Sequence, residues 1–246
     1  MNRIEDYEVL KNRIVDWLQE YTSNAGITAL VVGVSGGIDS AVSSTLAAET
    51  GLPTYVLGMP LLQKEEQESL SDAHLNWLGD NYGNIITEKF DLSNLFEVFR
   101  YTMRGYGKDE LALANSRSRL RMVTLYQVAQ TVGGIVVGTG NKVEDYGIGF
   151  YTKYGDGGVD IAPIADLYKT EVWELGRYLG VDERIVNAKP TDGLWEDGRN
   201  DEDQIGASYI DLEEAMEYRT GPAVEILDKF SRQNRHKMEP IPTFLL

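Results

Sequence analysis

The feature that most limits the possible folds is a set of short apolar runs returning at intervals along the chain. Residues 27–34 (ITALVVGV) and 133–140 (GGIVVGTG) carry no charge and are rich in β-branched side chains. Runs of that length and composition read as strands buried on both faces. Residues 53–59 (PTYVLGM) repeat the signal, and Ile85, Ile86 and Phe90 extend it more weakly over 84–90. Between the runs the period changes to that of a helix. Ile4, Tyr7, Leu10, Ile14, Leu18 and Tyr21 share one helical face, which Asn24 to Gly26 ends. Further helices are expected at 41–50, 64–78, 93–104, 109–131 and about 167–179, the last with Leu167, Val172, Leu175 and Leu179 inward. Buried strands alternating with helices specify an α/β chain built on a doubly wound parallel sheet. After residue 140 the pattern loosens, and the acidic, glycine-containing stretch 189–206 reads as a long exposed loop. No repeat, low-complexity tract or linker divides the chain. A single domain over 1–246 is expected, with a mobile loop at 193–206 and a C-terminal extension over 207–246.

The sharpest local signal lies between the first strand and its helix: Gly33-Val34-Ser35-Gly36-Gly37-Ile38-Asp39-Ser40. Glycines let the backbone turn tightly against a ligand, and the helix N-terminus behind them offers free N–H groups to an anion. Ser35 and Ser40 add hydroxyls. The run lacks the Gly-Lys-Ser/Thr ending of a Walker-type loop and the G-x-G-x-x-G spacing of a dinucleotide fold. Composition removes other chemistries. There is no cysteine, hence no disulfide, thiolate metal site or cysteine nucleophile. The two histidines, His74 and His236, cannot assemble a zinc site of three or four His/Cys ligands. With 39 Asp and Glu against 23 Lys and Arg, a net charge of −16 argues against a general nucleic-acid binder. No stretch approaches eighteen apolar residues and the start is rich in acids, so neither a membrane span nor a signal peptide is expected, and the location implied is cytoplasmic.

Ser35-Gly36-Gly37-Ile38-Asp39-Ser40 resembles the pyrophosphate loop of the N-type ATP pyrophosphatases, which cleave ATP between its α- and β-phosphates. A carboxylate 4 Å from a phosphate charge is repelled by about 4 kcal/mol at an effective dielectric near 20, so Asp39 suits such a site when Mg²⁺ lies between them. The later motifs are more specific. Gly138-Thr139-Gly140-Asn141-Lys142-Val143-Glu144 is followed by Tyr151-Thr152-Lys153-Tyr154-Gly155-Asp156-Gly157-Gly158, then by Pro163-Ile164 through Leu167-Tyr168-Lys169-Thr170. Beyond them stand Lys189-Pro190-Thr191, Asp201-Glu202-Asp203 before Gly206, and His236-Lys237. In this order and spacing the chain, from about residue 30 onward, resembles the ammonia-dependent NAD synthetases.

That resemblance implies a Rossmann-like sheet of the adenine nucleotide alpha hydrolase kind and a ligase reaction. Deamido-NAD⁺ is adenylated by ATP, pyrophosphate leaves, and ammonia converts the acyl-adenylate to NAD⁺ and AMP. By similarity Gly33 to Ser40, Thr139, Lys169 and Thr191 bind ATP, and Asp39 and Glu144 hold Mg²⁺. Arg119, Lys153, Asp160, His236 and Lys237 meet deamido-NAD⁺, and Asp156 handles ammonia. A homodimer is implied as well, to which the first helix, with Trp17 and Tyr21, could contribute. The segment Pro190-Thr191-Asp192-Gly193-Leu194 departs from the common Pro-Thr-Ala-Asp-Leu, which leaves the role of Asp192 open. Two alternatives stay open: an ATP pyrophosphatase amidating a different carboxylate, and a non-catalytic adenine-nucleotide sensor. A lid over residues 192–206 is expected, and so is use of ammonium and not glutamine, since no cysteine is present to take glutamine apart.

Overall fold

The computed structural model describes residues 3–62, 65–107, 109–191 and 200–245. Four strands, β1 (Ala29–Val34), β2 (Thr54–Gly58), β3 (Ile85–Lys89) and β4 (Gly134–Val137), form a sheet ordered β3-β2-β1-β4 with every pairing parallel. Leu30, at the sheet centre, pairs with Thr54 on one side and Ile135 on the other. Leu30, Val31 and Val32 have no exposed surface, which is why their run tolerates no charge. β3 lies at an edge with Glu88 and Lys89 exposed, and its weak sequence signal has that cause.

Ten α-helices occur among the described residues: α1 (Tyr7–Ala25), α2 (Ile38–Glu49), α3 (Glu65–Asn81), α4 (Ser93–Thr102), α5 (Glu110–Val132), α6 (Lys169–Tyr178), α7 (Glu183–Val186), α8 (Asp201–Ile205), α9 (Tyr209–Tyr218) and α10 (Val224–Met238). On one face of the sheet, Leu18 of α1, Val42 and Leu46 of α2, and Val172 and Leu175 of α6 bury Leu30 and Val32. On the other, Phe96 of α4 and Ala129 of α5 pack with Val31, Leu57 and Val136. Fully burying an aliphatic side chain of this size contributes about 1.5–3 kcal/mol, so these two layers dominate the stability of the fold.

Three features differ from the sequence reading. The stretch after β4 is loop over 149–158, as read, but Val143–Ile148 before it form a short π-helix, ended by Gly149 at φ 61°. Residues 201–205, expected in the loop, are helical, with Asn200 accepting from the Asp203 N–H and Ile205 buried. The remainder of the expected loop, 192–199, lies outside the described residues, as does most of the expected lid. The segment from 207 onward is no appendage either. Tyr209, Leu212 and Ala215 of α9 and Leu227 of α10 close a separate core around Val143 and Ile148. Near the other end of the chain, Arg3 donates to both Glu171 carboxylate oxygens (2.9 and 2.7 Å) and to the Asp166 carbonyl (2.8 Å). That ties the residues before α1 to the first turn of α6. No helix among the described residues is long and apolar enough to cross a membrane.

Candidate active site

Chain order reverses at β1: the path goes outward to β2 and β3, then crosses to β4 on the opposite side. Parallel sheets bind ligands at such a reversal, beyond the carboxyl ends of the strands. A cavity of about 980 Å³ lies there, walled by the residues following β1 and β4. All of Gly33 to Ser40 line it. Gly36 turns the chain at φ 89°, in the left-handed region that favours glycine. The Ser40 hydroxyl accepts from the Ser35 N–H (3.1 Å) and donates to the Gly37 carbonyl (2.9 Å), fixing the loop's shape. No side chain caps the N-terminus of α2, so its first N–H groups remain available to an anion.

Charges gather beside this loop. Lys169 Nζ lies 2.5 Å from Asp39 Oδ2 and 3.2 Å from Glu144 Oε1, and the whole residue is 2% exposed. Its position at the first turn of α6 would be unfavourable for a cation pointing along the helix axis. The side chain instead turns to the two carboxylates, while Glu171 and Glu213 satisfy the helix end: Glu171 accepts from the Tyr168 N–H (2.7 Å) and Glu213 from the Thr170 N–H (3.0 Å). Burial pulls the Lys169 ammonium down, but Asp39, Glu144 and Asp201 outweigh it and the net shift is upward. Burial raises the Asp39 carboxyl against the opposing pull of Lys169. Asn141, with no exposed surface, spans the pair: its Nδ2 donates to Asp39 (3.4 Å), and its Oδ1 accepts from the N–H groups of Val143 and Glu144 (3.1 and 3.2 Å). From the third core, the Tyr209 hydroxyl donates to Glu144 Oε1 at 2.6 Å, and its ring lies 4.8 Å from Lys169 Nζ.

A second acidic group lines the same cavity. The Asp156 carboxylate accepts from Ser118 Oγ (2.6 Å) and the Thr152 N–H (3.0 Å). It faces the cavity's solvent with protein packed around it, and that burial raises its pKa despite the hydrogen bonds. Asp145, next to Glu144 on the π-helix, is pushed up to about 7, first by burial and then by Glu144, Asp156 and Asp39.

The residues expected to form the site divide into two groups. Gly33 to Ser40, Thr139, Glu144, Asp156, Lys169, Thr191 and Lys237 all reach the cavity. Arg119, Lys153, Asp160 and His236 do not line it. The exposed Arg119 donates to the Lys153 carbonyl (3.3 Å), and Asp160 accepts from the Val136 N–H (2.7 Å) and Tyr126 (3.0 Å), so it secures β4. Arg117 and Arg121, one helical turn apart, take the cavity wall in place of Arg119. Lys153 donates to the carbonyl of the exposed His236 (2.7 Å), and Lys237 to that of Tyr151 (2.8 Å). Sequence reasoning missed Asn141, Asp145 and Tyr209. Asn141 stood inside a quoted motif without a role, and no local pattern sets Tyr209 apart from a core aromatic.

Known proteins resemble this chain over nearly its whole length. The family model described as NAD synthase matches residues 10–241. An NH3-dependent NAD⁺ synthetase of Methanosarcina mazei is 38% identical, over 96% of this chain and 98% of its own. Among solved structures, NMN synthetase from Francisella tularensis superposes with a TM-score of 0.92 at 32% identity, covering 99% of this chain and 100% of its own. NAD⁺ synthetase from Burkholderia pseudomallei gives 0.76 at 26% identity, covering 95% and 90%.

Proposed function

The chain belongs to the NAD synthase family, and on that premise we propose how its cavity carries out the ATP-dependent amidation of deamido-NAD⁺ by ammonia. The sheet is the Rossmann-like one of the adenine nucleotide alpha hydrolases. The observation that carries the reading is the convergence, at one reversal point, of an anion-binding loop, two acids on a single lysine, and a third acid lining the same cavity. The Gly33–Ser40 loop holds the ATP phosphates through backbone N–H groups and two hydroxyls, and Thr139 and Thr191 complete the nucleotide's surroundings. The nicotinate carboxylate oxygen attacks the α-phosphorus, and the bond to the departing pyrophosphate breaks. Ammonia then attacks the acyl carbon, AMP leaves, and one proton is given up. Asp156, aimed into the cavity and held by Ser118, is placed to bind the incoming ammonia and accept that proton. Lys237, which lines the cavity, is the basic residue we assign to the deamidated substrate, with Lys153 holding the α10 backbone next to it through the His236 carbonyl.

Asp39 and Glu144 are hard oxygen donors that already converge on one cation, the Lys169 ammonium, so the pair fits Mg²⁺. With two carboxylates from the chain, phosphate oxygens and water would supply the rest of the ion's coordination. The ion would offset the repulsion between the phosphates and the two carboxylates. We infer a homodimer as well. It is supported less by α1, where Trp17 is 42% exposed, than by α4, where Leu95, Val98 and Tyr101 form a stripe at three-residue spacing and are 50, 65 and 70% exposed.

A second reading concerns the substrate alone. The higher TM-score with the Francisella tularensis NMN synthetase favours the shorter acid, nicotinate mononucleotide, as the group amidated. One assay separates the readings. Protein with ATP, Mg²⁺ and ammonium is supplied with either acid, and the amide product, AMP and pyrophosphate are followed. Higher kcat/KM with the dinucleotide supports NAD⁺ synthesis, and the reverse order supports the mononucleotide. Absence of AMP formation with either acid removes both. Glutamine freed of ammonia should not replace ammonium.

A further inference from the structure

The place between Asp39 and Glu144 is taken by a charge from the chain itself. Lys169 Nζ contacts both carboxylates, and the ring of Tyr209 covers it. These are the donors assigned above to the metal, and one site cannot hold an ammonium and a divalent ion together without strong repulsion. We propose that Lys169 is a resident counter-ion that keeps the Asp39–Glu144 pair closed to divalent cations until nucleotide binds. On binding it gives up the carboxylates for a phosphate oxygen as the metal enters.

Two facts of the site impose this exchange. The lysine is buried, so leaving Asp39 and Glu144 without a new anion would leave its charge in the interior with Asp201 as its one remaining acidic neighbour among those acting on it. The phosphate loop lines the same cavity, so a compensating anion is within reach of its four-carbon stem once ATP is seated. Metal binding and nucleotide binding are therefore coupled, and the coupling is reciprocal. The enzyme takes its metal with ATP and not before it. Tyr209 and Asn141 hold Glu144 and Asp39 in place throughout, so the exchange replaces the cation without rebuilding the pair.

The inference rests on the metal assignment made above, and direct binding of Mn²⁺ tests the two separately. Free Mn²⁺ is followed by electron paramagnetic resonance while it is titrated with enzyme, alone and with a non-hydrolysable ATP analogue. Without nucleotide, Lys169→Met should bind Mn²⁺ at least about tenfold more tightly than wild type, because two buried carboxylates have lost their cation. Adding Asp39→Asn to that variant should abolish the gain. Wild-type crystals soaked in Mn²⁺ give a readout that needs no variant to fold. Anomalous signal should be absent between Asp39 and Glu144 without nucleotide, and present with the analogue, with Lys169 moved onto a phosphate oxygen. Nucleotide-free wild type that binds Mn²⁺ at this pair as tightly as Lys169→Met overturns the inference while leaving the metal site standing. No Mn²⁺ at the pair even with the analogue removes the metal assignment, and the inference with it.

Discussion

Asn141 shows how the site is held at the level of single side chains. It contributes no charge, yet one end touches Asp39 and the other sets the backbone that presents Glu144. Tyr209 acts on Glu144 from the opposite side, through a single hydroxyl. Removing that hydroxyl in Tyr209→Phe should raise the Mg²⁺ concentration for half-maximal rate by about tenfold, the scale seen when a residue behind a metal ligand is lost. Saturating Mg²⁺ should largely restore kcat; an unchanged Mg²⁺ requirement would rule out the positioning role. Asp145 gives a pH prediction. Its carboxyl stands at about 7 in the folded protein against an ordinary 3.8, so above neutrality the folded state carries a charge that the unfolded chain solvates better. As pH falls through 7 the folded form takes up the proton first, and the penalty fades towards pH 4. Asp145→Asn should therefore stabilise the ligand-free protein by about 2 kcal/mol at pH 8 and by much less at pH 4.5. Urea unfolding at the two pH values checks this, and a gain equal at both would contradict it. The residues legible from sequence were those whose chemistry is local: Asp39 in its loop, and Lys169 as a cation at the wrong end of a helix. Tyr209 was not legible, because its role depends on a contact spanning 65 residues.

Among the elements, strands were easiest to read where burial was greatest. β1, almost wholly buried, and β4, buried at Val136 and Val137, appear as uncharged runs, whereas β3, half open to solvent, left Ile85 and Ile86, with Phe90 just beyond it, as a weaker signal. Helix α2 begins at Ile38, three residues before the reading placed it, because the phosphate loop feeds directly into its first turn and glycines disguise that start. The π-helix at 143–148 has a period that amphipathic counting does not seek, and it places Glu144 and Asp145 side by side at the cavity. Helices α9 and α10 were overlooked because they bury their faces against that π-helix and not against the sheet. The joint between β4 and β1 allows an element-level test. A Cβ at Gly134 would stand 2.8 Å from the Ala29 carbonyl oxygen, a backbone atom that cannot swing aside. Gly134→Ala should therefore push the two strands apart and cost about 1–3 kcal/mol, even though alanine suits a strand interior better than glycine does. Chemical denaturation measures it, and a variant as stable as wild type would show that the strands yield freely.

For the molecule as a whole, the inferred dimer predicts a sedimenting species of twice the 27.5 kDa chain mass. Val98→Glu, in the centre of the α4 stripe, should shift it to monomer, while Trp17→Glu should not; the opposite pattern would move the interface to α1. The net charge of −16 sets the chain against itself and against its copy, so added salt should favour both folding and association. The sheet order has a further consequence, for the protein while it is being made. β1, β2 and β3 leave the ribosome in succession and can pair as they emerge, but the strand that flanks β1 on its other side is the last of the four. The phosphate loop is thus translated about a hundred residues ahead of Glu144, and further still ahead of Lys169 and Tyr209. Cellular ATP, however abundant, finds only half a pocket on the growing polypeptide. The nucleotide can stabilise the finished protein but cannot act as a template for the nascent one.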